Sequence, residues 1–339
     1  MSSVLIAIVM FLFLILIHEF GHFIIAKKSG IKVNEFAIGM GPRLYSKTKG
    51  ETTYSLNLLP IGGYCAMEGE DDDSNDPRSF NNSPAKSRFF TILAGPLTNF
   101  IFAGIIFAII IGNIGTSTNK VGGFLENSPA QSAGMKEDDR IVKIGQSEIK
   151  QFEEVSMALG EFYKDGKNKD QEVPISVLRD DKEINFKIKP DFEENRPVLG
   201  VYSKLEKVGF FKSIGLGFSE VWKNIKGIVK VFGALFSGAI GFSALSGPVG
   251  VVKELGNQAS QGIFNLLYFF AYISVNLGFF NLIPIPALDG SKILTSVYEM
   301  ISKKPVNKKI EQRATVVGFV LLLGLILVVT IKDIVTLIL

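Results

Sequence analysis

Four stretches of the sequence, residues 4–26, 89–111, 263–285 and 314–331, are long and apolar enough to cross a bilayer as helices. At about 1.5 Å per residue the first reaches roughly 35 Å, the depth of a hydrocarbon core. Its only ionisable side chains are His18, Glu19 and His22. No basic residue precedes Val4 and no small-residue cleavage site precedes Lys27 and Lys28, so the stretch reads as a span and not as a cleavable leader. The second stretch follows Lys86 and Arg88, which suit the interface, and the fourth ends just before Lys332 and Asp333. Charged residues still make up 20% of the 339, gathered in blocks between the apolar runs. The expected fold is therefore a polytopic α-helical membrane protein of about four spans that carries soluble loops, with the lipid bilayer as its first partner.

The distribution of charge sets an expected orientation. Residues 27–50 hold six Lys or Arg against one acid, and 299–313 hold five against two, which places both on the cytoplasmic side of a cell membrane. The N-terminus and the central region then lie outside. The net charge of +3 is small and spread over several loops, unlike the concentrated cationic face of a nucleic-acid-binding protein, so nucleic acid is dropped as a partner. A lone cysteine, Cys65, cannot form an internal disulfide.

The chain divides at these spans. Residues 1–113 form the first half of a membrane domain and 245–339 the second. Between the first two spans, residues 36–68 combine Gly39, Gly41, Gly62 and Gly63 with β-leaning runs such as 52–59, a pattern for a hairpin at membrane depth. The acidic run 68–73 reads as a solvated loop. Residues 114–209 read as a small α+β domain outside the membrane: Val173, Ile175 and Val177 alternate, Asp180 and Asp181 turn the chain, and Ile184, Phe186 and Ile188 alternate again. In residues 210–244, Phe218, Trp222, Ile225, Val229, Phe232 and Phe236 recur at helical spacing while Lys223, Lys226 and Lys230 take another face, as in an amphipathic helix lying in the interface.

The two histidines of the whole chain are His18 and His22. Positions i and i+4 of a helix lie one above the other, so both imidazoles can meet one metal ion with Glu19 beside it, the H-E-x-x-H arrangement. Ionisable groups inside a span cost about 2.5–3.5 kcal/mol each on insertion scales, and metal binding is an interaction able to offset that. The competing reading is a polar network joining helices. Catalytic zinc takes three protein ligands and leaves a position for water. With no third histidine, the remaining ligand must be Asp, Glu or Cys65. Asp289 fits best, because Pro284 and Pro286 stop the third span and allow an irregular segment to turn its carboxylate toward a polar cavity. The bland alternative makes Asp289 a solvated helix cap.

Several segments carry resemblances. Val121-Gly-Gly-Phe-Leu, followed by Ser128-Pro-Ala, Ala133-Gly134 and residues 139–145, resembles a bacterial PDZ domain. That likeness puts Gly122, Gly123 and Phe124 at a peptide-carboxylate loop, the alternative being a small β-rich steric filter. Taken with residues 18–22, Pro60-Ile-Gly-Gly-Tyr64, Ala94-Gly-Pro-Leu-Thr-Asn99, Ser246-Gly-Pro-Val249 and 281–290, it makes the chain resemble a site-2 protease, family M50, of the PDZ-containing bacterial regulator of sigma-E protease type. One PDZ-like domain stands where some relatives have two, and Leu-Asp-Gly-Ser291 stands where a second glycine is common.

The resemblance implies an intramembrane zinc metalloprotease with one Zn2+. His18, His22 and Asp289 would be its ligands and Glu19 its general base and acid. Implied substrates are membrane-spanning proteins: a regulator such as an anti-sigma factor already trimmed by another protease, or a signal-peptide remnant. It also makes Asn281 a candidate to hydrogen-bond the extended substrate, with Asn276 and Asn99 as further candidates. All three asparagines have the alternative of joining helices. An inactive membrane adaptor that recruits partners through the PDZ-like domain, and a metal transporter relaying ions through the intramembrane His and Asp, are the competing functions.

Overall fold

The computed structural model describes residues 3–70, 72–164, 169–193, 195–241 and 246–338. Residues 242–244 of the expected 210–244 helix and Asp71 of the acidic run lie outside the described residues. The chain begins α1 (Ser3–Lys28), β1 (Val33–Lys49), β2 (Thr52–Met67), α2 (Ala85–Ile114). It continues β3 (Thr116–Phe124), α3 (Pro129–Ser132), β4 (Arg140–Ile144), β5 (Ser147–Glu148), α4 (Glu153–Tyr163), β6 (Val173–Arg179), β7 (Lys182–Ile188), β8 (Asp191–Glu193), β9 (Arg196–Val198) and β10 (Val201–Glu206). It ends α5 (Phe210–Phe236), α6 (Pro248–Gln261), α7 (Ile263–Leu282), α8 (Asp289–Ser302) and α9 (Lys308–Ile338). Two compact units result, one of residues 1–110 with 214–339 and the other of 111–213.

In the first unit α1, α2, α7 and α9 have the length and hydropathy to cross a membrane, matching the four expected spans. The third is shorter than expected, ending at Leu282 ahead of Pro284 and Pro286. Small residues let the helices meet. A Cβ on Gly21 of α1 would stand 2.4 Å from Ala94 O, and one on Gly278 of α7 2.9 Å from Pro96 O. Both contacts rest on α2, where Pro96 lies inside the helix.

The 36–68 segment forms the expected hairpin, folded a second time. With φ of +79° at Gly39, +84° at Gly41 and +79° at Gly62, the long strands bend sharply. Residues 35–38 consequently pair with 53–56 on one side and with 63–66 on the other, while 45–49 pair with 52–56. Met40, Leu44, Tyr45, Leu58 and Leu59 are exposed on this sheet, as suits a hairpin that meets lipid.

Two helices were not expected. α6 packs on α1 and α7, its Leu255 buried with Ala7 and Met10. Its N-terminus is capped by Asp333 of α9, which accepts a hydrogen bond from Gly250 N at 2.8 Å. α8 begins at Asp289. The described part of the acidic run is a loop whose first half is tied down, Glu68 accepting from Asn34 at 2.8 Å and Glu70 pairing with Lys292 of α8 at 2.7 Å, while Asp72 and Asp73 are exposed as expected.

α5 stops at Phe236, short of residue 244. Val221 and Ile228 are buried, whereas Phe218, Trp222, Val229 and Phe236 of the expected apolar stripe face outward. Part of the stripe still packs within the membrane unit, with the Phe232 ring against Phe279 and Phe280 of α7 and Phe218 beside Gly104 of α2. The helix fits against α2 at Gly217, where a Cβ would stand 2.5 Å from Gly104 O.

The second unit is α+β, as expected. A six-stranded sheet runs β10-β3-β4-β6-β7 with β5 on β4, and Val173↔Ile188 through Arg179↔Lys182 is the anticipated hairpin. Val121, Ile141, Ile144, Leu159, Ile175 and Val177 fill its core. Asp139 is fully buried and accepts from Arg179 Nε at 2.6 Å, Arg179 Nη2 at 2.7 Å and Lys136 N at 2.8 Å.

Candidate metal centre

His18 and His22 lie on the buried face of α1, one helical turn apart, and are respectively 6% and 5% exposed. Their Nε2 atoms face each other at 3.2 Å. Asp289 Oδ2 comes within 2.9 Å of His18 Nε2 and 3.4 Å of His22 Nε2, so three ligand atoms from two distant parts of the chain converge. Among the described residues this is the one group of three or more His, Cys, Asp or Glu placed to hold a metal ion.

The chain reaches this arrangement through the segment after α7. Pro284 and Pro286 prevent the helix from continuing, Ala287 turns at φ +80°, and Leu288 provides the extended residue from which α8 starts. Gly290 is required by close packing: its Cβ would lie 2.2 Å from Ile283 O. Asp289 is the first residue of α8, and its carboxylate is mostly buried against the two imidazoles instead of turned to solvent. A carboxylate at a helix N-terminus is favoured by the exposed N–H dipoles.

The donor set suits zinc. Asp289 Oδ2 is buried and, although close to both imidazoles, receives no N–H with hydrogen-bond geometry. A buried carboxylate oxygen without a donor beside two converging imidazole nitrogens is the polar debt that a cation removes. The ring of His22 is oriented by α2, with Nδ1 2.8 Å from Thr91 O. A backbone carbonyl only accepts, so Nδ1 carries the proton and Nε2 keeps its lone pair for the metal. Gly95 of α2 makes room for both rings, since a Cβ there would stand 2.3 Å from His22 Nε2 and 2.9 Å from His18 Nε2.

Glu19 is outside the ligand trio. Its Oε2 accepts a hydrogen bond from Cys65 N at 3.1 Å, so β2 delivers a backbone donor to the neighbourhood of the site. The Cys65 thiol is not among the converging ligand atoms; burial first, then the charges of Glu19 and Glu70, push it above the ordinary thiol range. Beside Asp289 opens a cavity of about 660 Å³, lined in part by Glu70, Arg88, Lys292, Glu311 and Phe319.

The remaining candidates are scattered. Asn281, at the end of α7, is half-buried and finds no side-chain partner among the described residues. Asn276 donates to Tyr272 O of its own helix at 2.8 Å. Asn99 is fully buried with Nδ2 3.1 Å from His18 Nδ1, so its amide joins α2 to α1 beside the converging group. Gly122, Gly123 and Phe124 are in the second unit, inside β3. Gly123 and Phe124 pair with Tyr202 and Val201 of β10, and the sheet ends at β10 on one side and at β7 on the other. Thr91 and the Cys65 backbone were missed in the sequence because carbonyl and amide groups carry no residue signature. Gly95-Pro96 within a span was the available signal for Gly95.

Residues 6–325 match the description of Peptidase family M50. A protein of Clostridium acetobutylicum named as a zinc metalloprotease is 38% identical over 98% of this chain and 97% of its own length. Relatives with the same naming from Clostridium perfringens and Fusobacterium nucleatum are 37% and 36% identical, each aligned over 98% of its own length and over 98% and 97% of this chain.

Proposed function

This chain belongs to peptidase family M50 and is a multi-pass membrane zinc metalloprotease; from that premise we propose that His18, His22 and Asp289 hold its zinc and that it cuts membrane-spanning substrates within or near the bilayer. The convergence of His18 Nε2, His22 Nε2 and Asp289 Oδ2 carries the reading. Zinc bound there supplies Lewis acidity, lowering the pKa of water from 15.7 toward about 7 and polarising a scissile carbonyl. Glu19 takes the proton of the attacking water and passes it to the leaving amine, as the C–O bond forms and the C–N bond breaks. The Cys65 N–H holds one Glu19 oxygen and leaves the other to carry that proton.

A helical substrate hides its peptide bonds and must be locally extended before attack. Residues 63–67 offer a place for this: they pair with 33–38 on one side only, and Cys65 in their midst touches Glu19. Asn281 is a further donor for an extended backbone. The substrates are single-span proteins such as an anti-sigma factor or a signal-peptide remnant. The basic segments at 27–50 and 299–313 support a cytoplasmic-side active site with the N-terminus and the 111–213 unit outside. That unit acts as a PDZ-like domain with β10 at one edge of its sheet.

Zinc content and cleavage of a synthetic transmembrane peptide in detergent test the assignment. Glu19→Gln should retain zinc and lose cleavage by about 10²-fold or more, and Asp289→Ala should lose both metal and activity. Unchanged cleavage by Glu19→Gln would sink the proposed role.

A further inference from the structure

Asn99 is a fully buried amide in the middle of an uncharged span, and its surroundings are unusually specific. Its backbone carbonyl accepts from Ser274 Oγ of α7 at 2.9 Å, so α2 and α7 jointly fix where the side chain stands. The amide meets His18 Nδ1 at 3.1 Å through its nitrogen, while its oxygen is buried with no hydrogen-bond partner. An amide fills almost the same space after half a rotation, so the direction in which it points is settled by hydrogen bonding.

The two directions have different consequences for His18. If the NH2 group faces Nδ1, that nitrogen must accept, and the proton of a neutral ring sits on Nε2. Nε2 is the atom 2.9 Å from Asp289 Oδ2 and 3.2 Å from His22 Nε2, and a protonated nitrogen has no lone pair to give a metal. If the oxygen faces Nδ1, it accepts from Nδ1–H, its buried orphan is removed, and Nε2 is left with its lone pair. The proton has then only changed nitrogen within the ring. His18 would be held as His22 is held by Thr91 O, with one α2 oxygen behind each imidazole.

The geometry points to Asn99 as a positioning residue of the metal centre: its amide oxygen accepts from His18 Nδ1–H and thereby fixes Nε2 as the ligand atom. This rests on the preceding assignment of His18, His22 and Asp289 to zinc. Partners behind ligating imidazoles carry about 10–100-fold in metal affinity, enough to distinguish this role from packing.

The test is chelator competition for Zn2+ on the detergent-solubilised full chain, with thermal melting in chelator and in zinc, for wild type, Asn99→Leu and Asn99→Asp. Asn99→Leu should bind zinc about 10–100-fold more weakly. Its melting temperature should fall further in zinc than in chelator, because the weakened metal binding removes stabilisation that only the zinc-bound protein has. Asn99→Asp has only acceptor oxygens and should recover most of the affinity. Wild-type zinc affinity in Asn99→Leu, an equal loss of stability with and without metal, or weaker binding by a folded Asn99→Asp than by Asn99→Leu would each overturn the assignment. The Leu variant decides alone if the buried carboxylate prevents folding. Failure of the underlying metal assignment looks different: the wild type itself would then hold no stoichiometric zinc.

Discussion

Gly95 of α2 lies against His22 of α1 so closely that a Cβ would stand 2.3 Å from Nε2, inside any contact a carbon can make. The obstacle is double, because the same Cβ would be 2.9 Å from His18 Nε2. Gly95→Ala should therefore push both imidazoles off their positions together. Zinc content after dialysis should fall well below one per chain, with the helical circular-dichroism signal kept. Full zinc occupancy in the alanine variant would contradict this geometry.

Gly290 acts on Asp289 from the other side. Its Cβ would meet Ile283 O at 2.2 Å, and both partners are backbone, so neither can swing aside. In Gly290→Ala the start of α8 must move and carry Asp289 with it. A displacement of about 1 Å at a reacting centre costs on the order of 10²-fold in rate. Peptide cleavage should drop by that order while Glu19 and both histidines remain in place.

Asp333 has a structural task far from the chemistry. It accepts from Gly250 N at 2.8 Å and so caps α6, whose own N-cap residue, Gly247, has no side chain to do so. Asp333→Ala should destabilise the protein by about 1 kcal/mol, the usual loss for a helix cap. Melting temperature should fall, and the cleavage rate of the folded fraction should not change. An unaltered melting temperature would show that the cap contributes nothing.

The 111–213 unit carries a pH dependence through Asp139. Burial works to raise its carboxyl, but the Arg179 guanidinium and the Lys136 N–H hold it below the ordinary carboxylate value. The unfolded chain, with an aspartate pKa of about 3.9, then binds the proton more tightly than the folded one. The stabilisation from this pair is complete above that value and is lost as pH falls through the depressed folded pKa. Denaturation midpoints followed downward from pH 7 should show this acid step, and Arg179→Leu should lower stability at neutral pH by about 3–5 kcal/mol through an unpaired buried charge. A neutral-pH stability equal to wild type would argue against the pair.

Much of the site was legible because its signals are local. Residues 4–26 declare a span by hydropathy, and His18 and His22 share a face by spacing alone. Asp289 was reached by elimination, since a chain with two histidines needs a carboxylate and Pro284 and Pro286 mark where a span breaks. The domain between the first two spans was readable from the alternation around residues 173–188, which follows from the two-residue repeat of a strand.

What tertiary structure decided is how these pieces face one another. The stripe Phe218, Trp222, Val229 and Phe236 was visible, but only packing reveals that Val221 and Ile228 are the buried face of α5. The glycines at 122 and 123 resembled a loop until pairing with β10 placed them within a sheet. Thr91 O behind His22 and Cys65 N beside Glu19 are backbone groups, identical at every position of a sequence and made distinctive only by their location. The sequence by itself determined which side chains can bind a metal and which segments can enter a membrane, because side-chain chemistry and hydropathy are local properties. The tertiary structure decided that His18, His22 and Asp289 share one point and that α2 places Thr91 O behind His22 and the Asn99 amide behind His18, because such contacts join residues whose separation along the chain carries no record of their meeting.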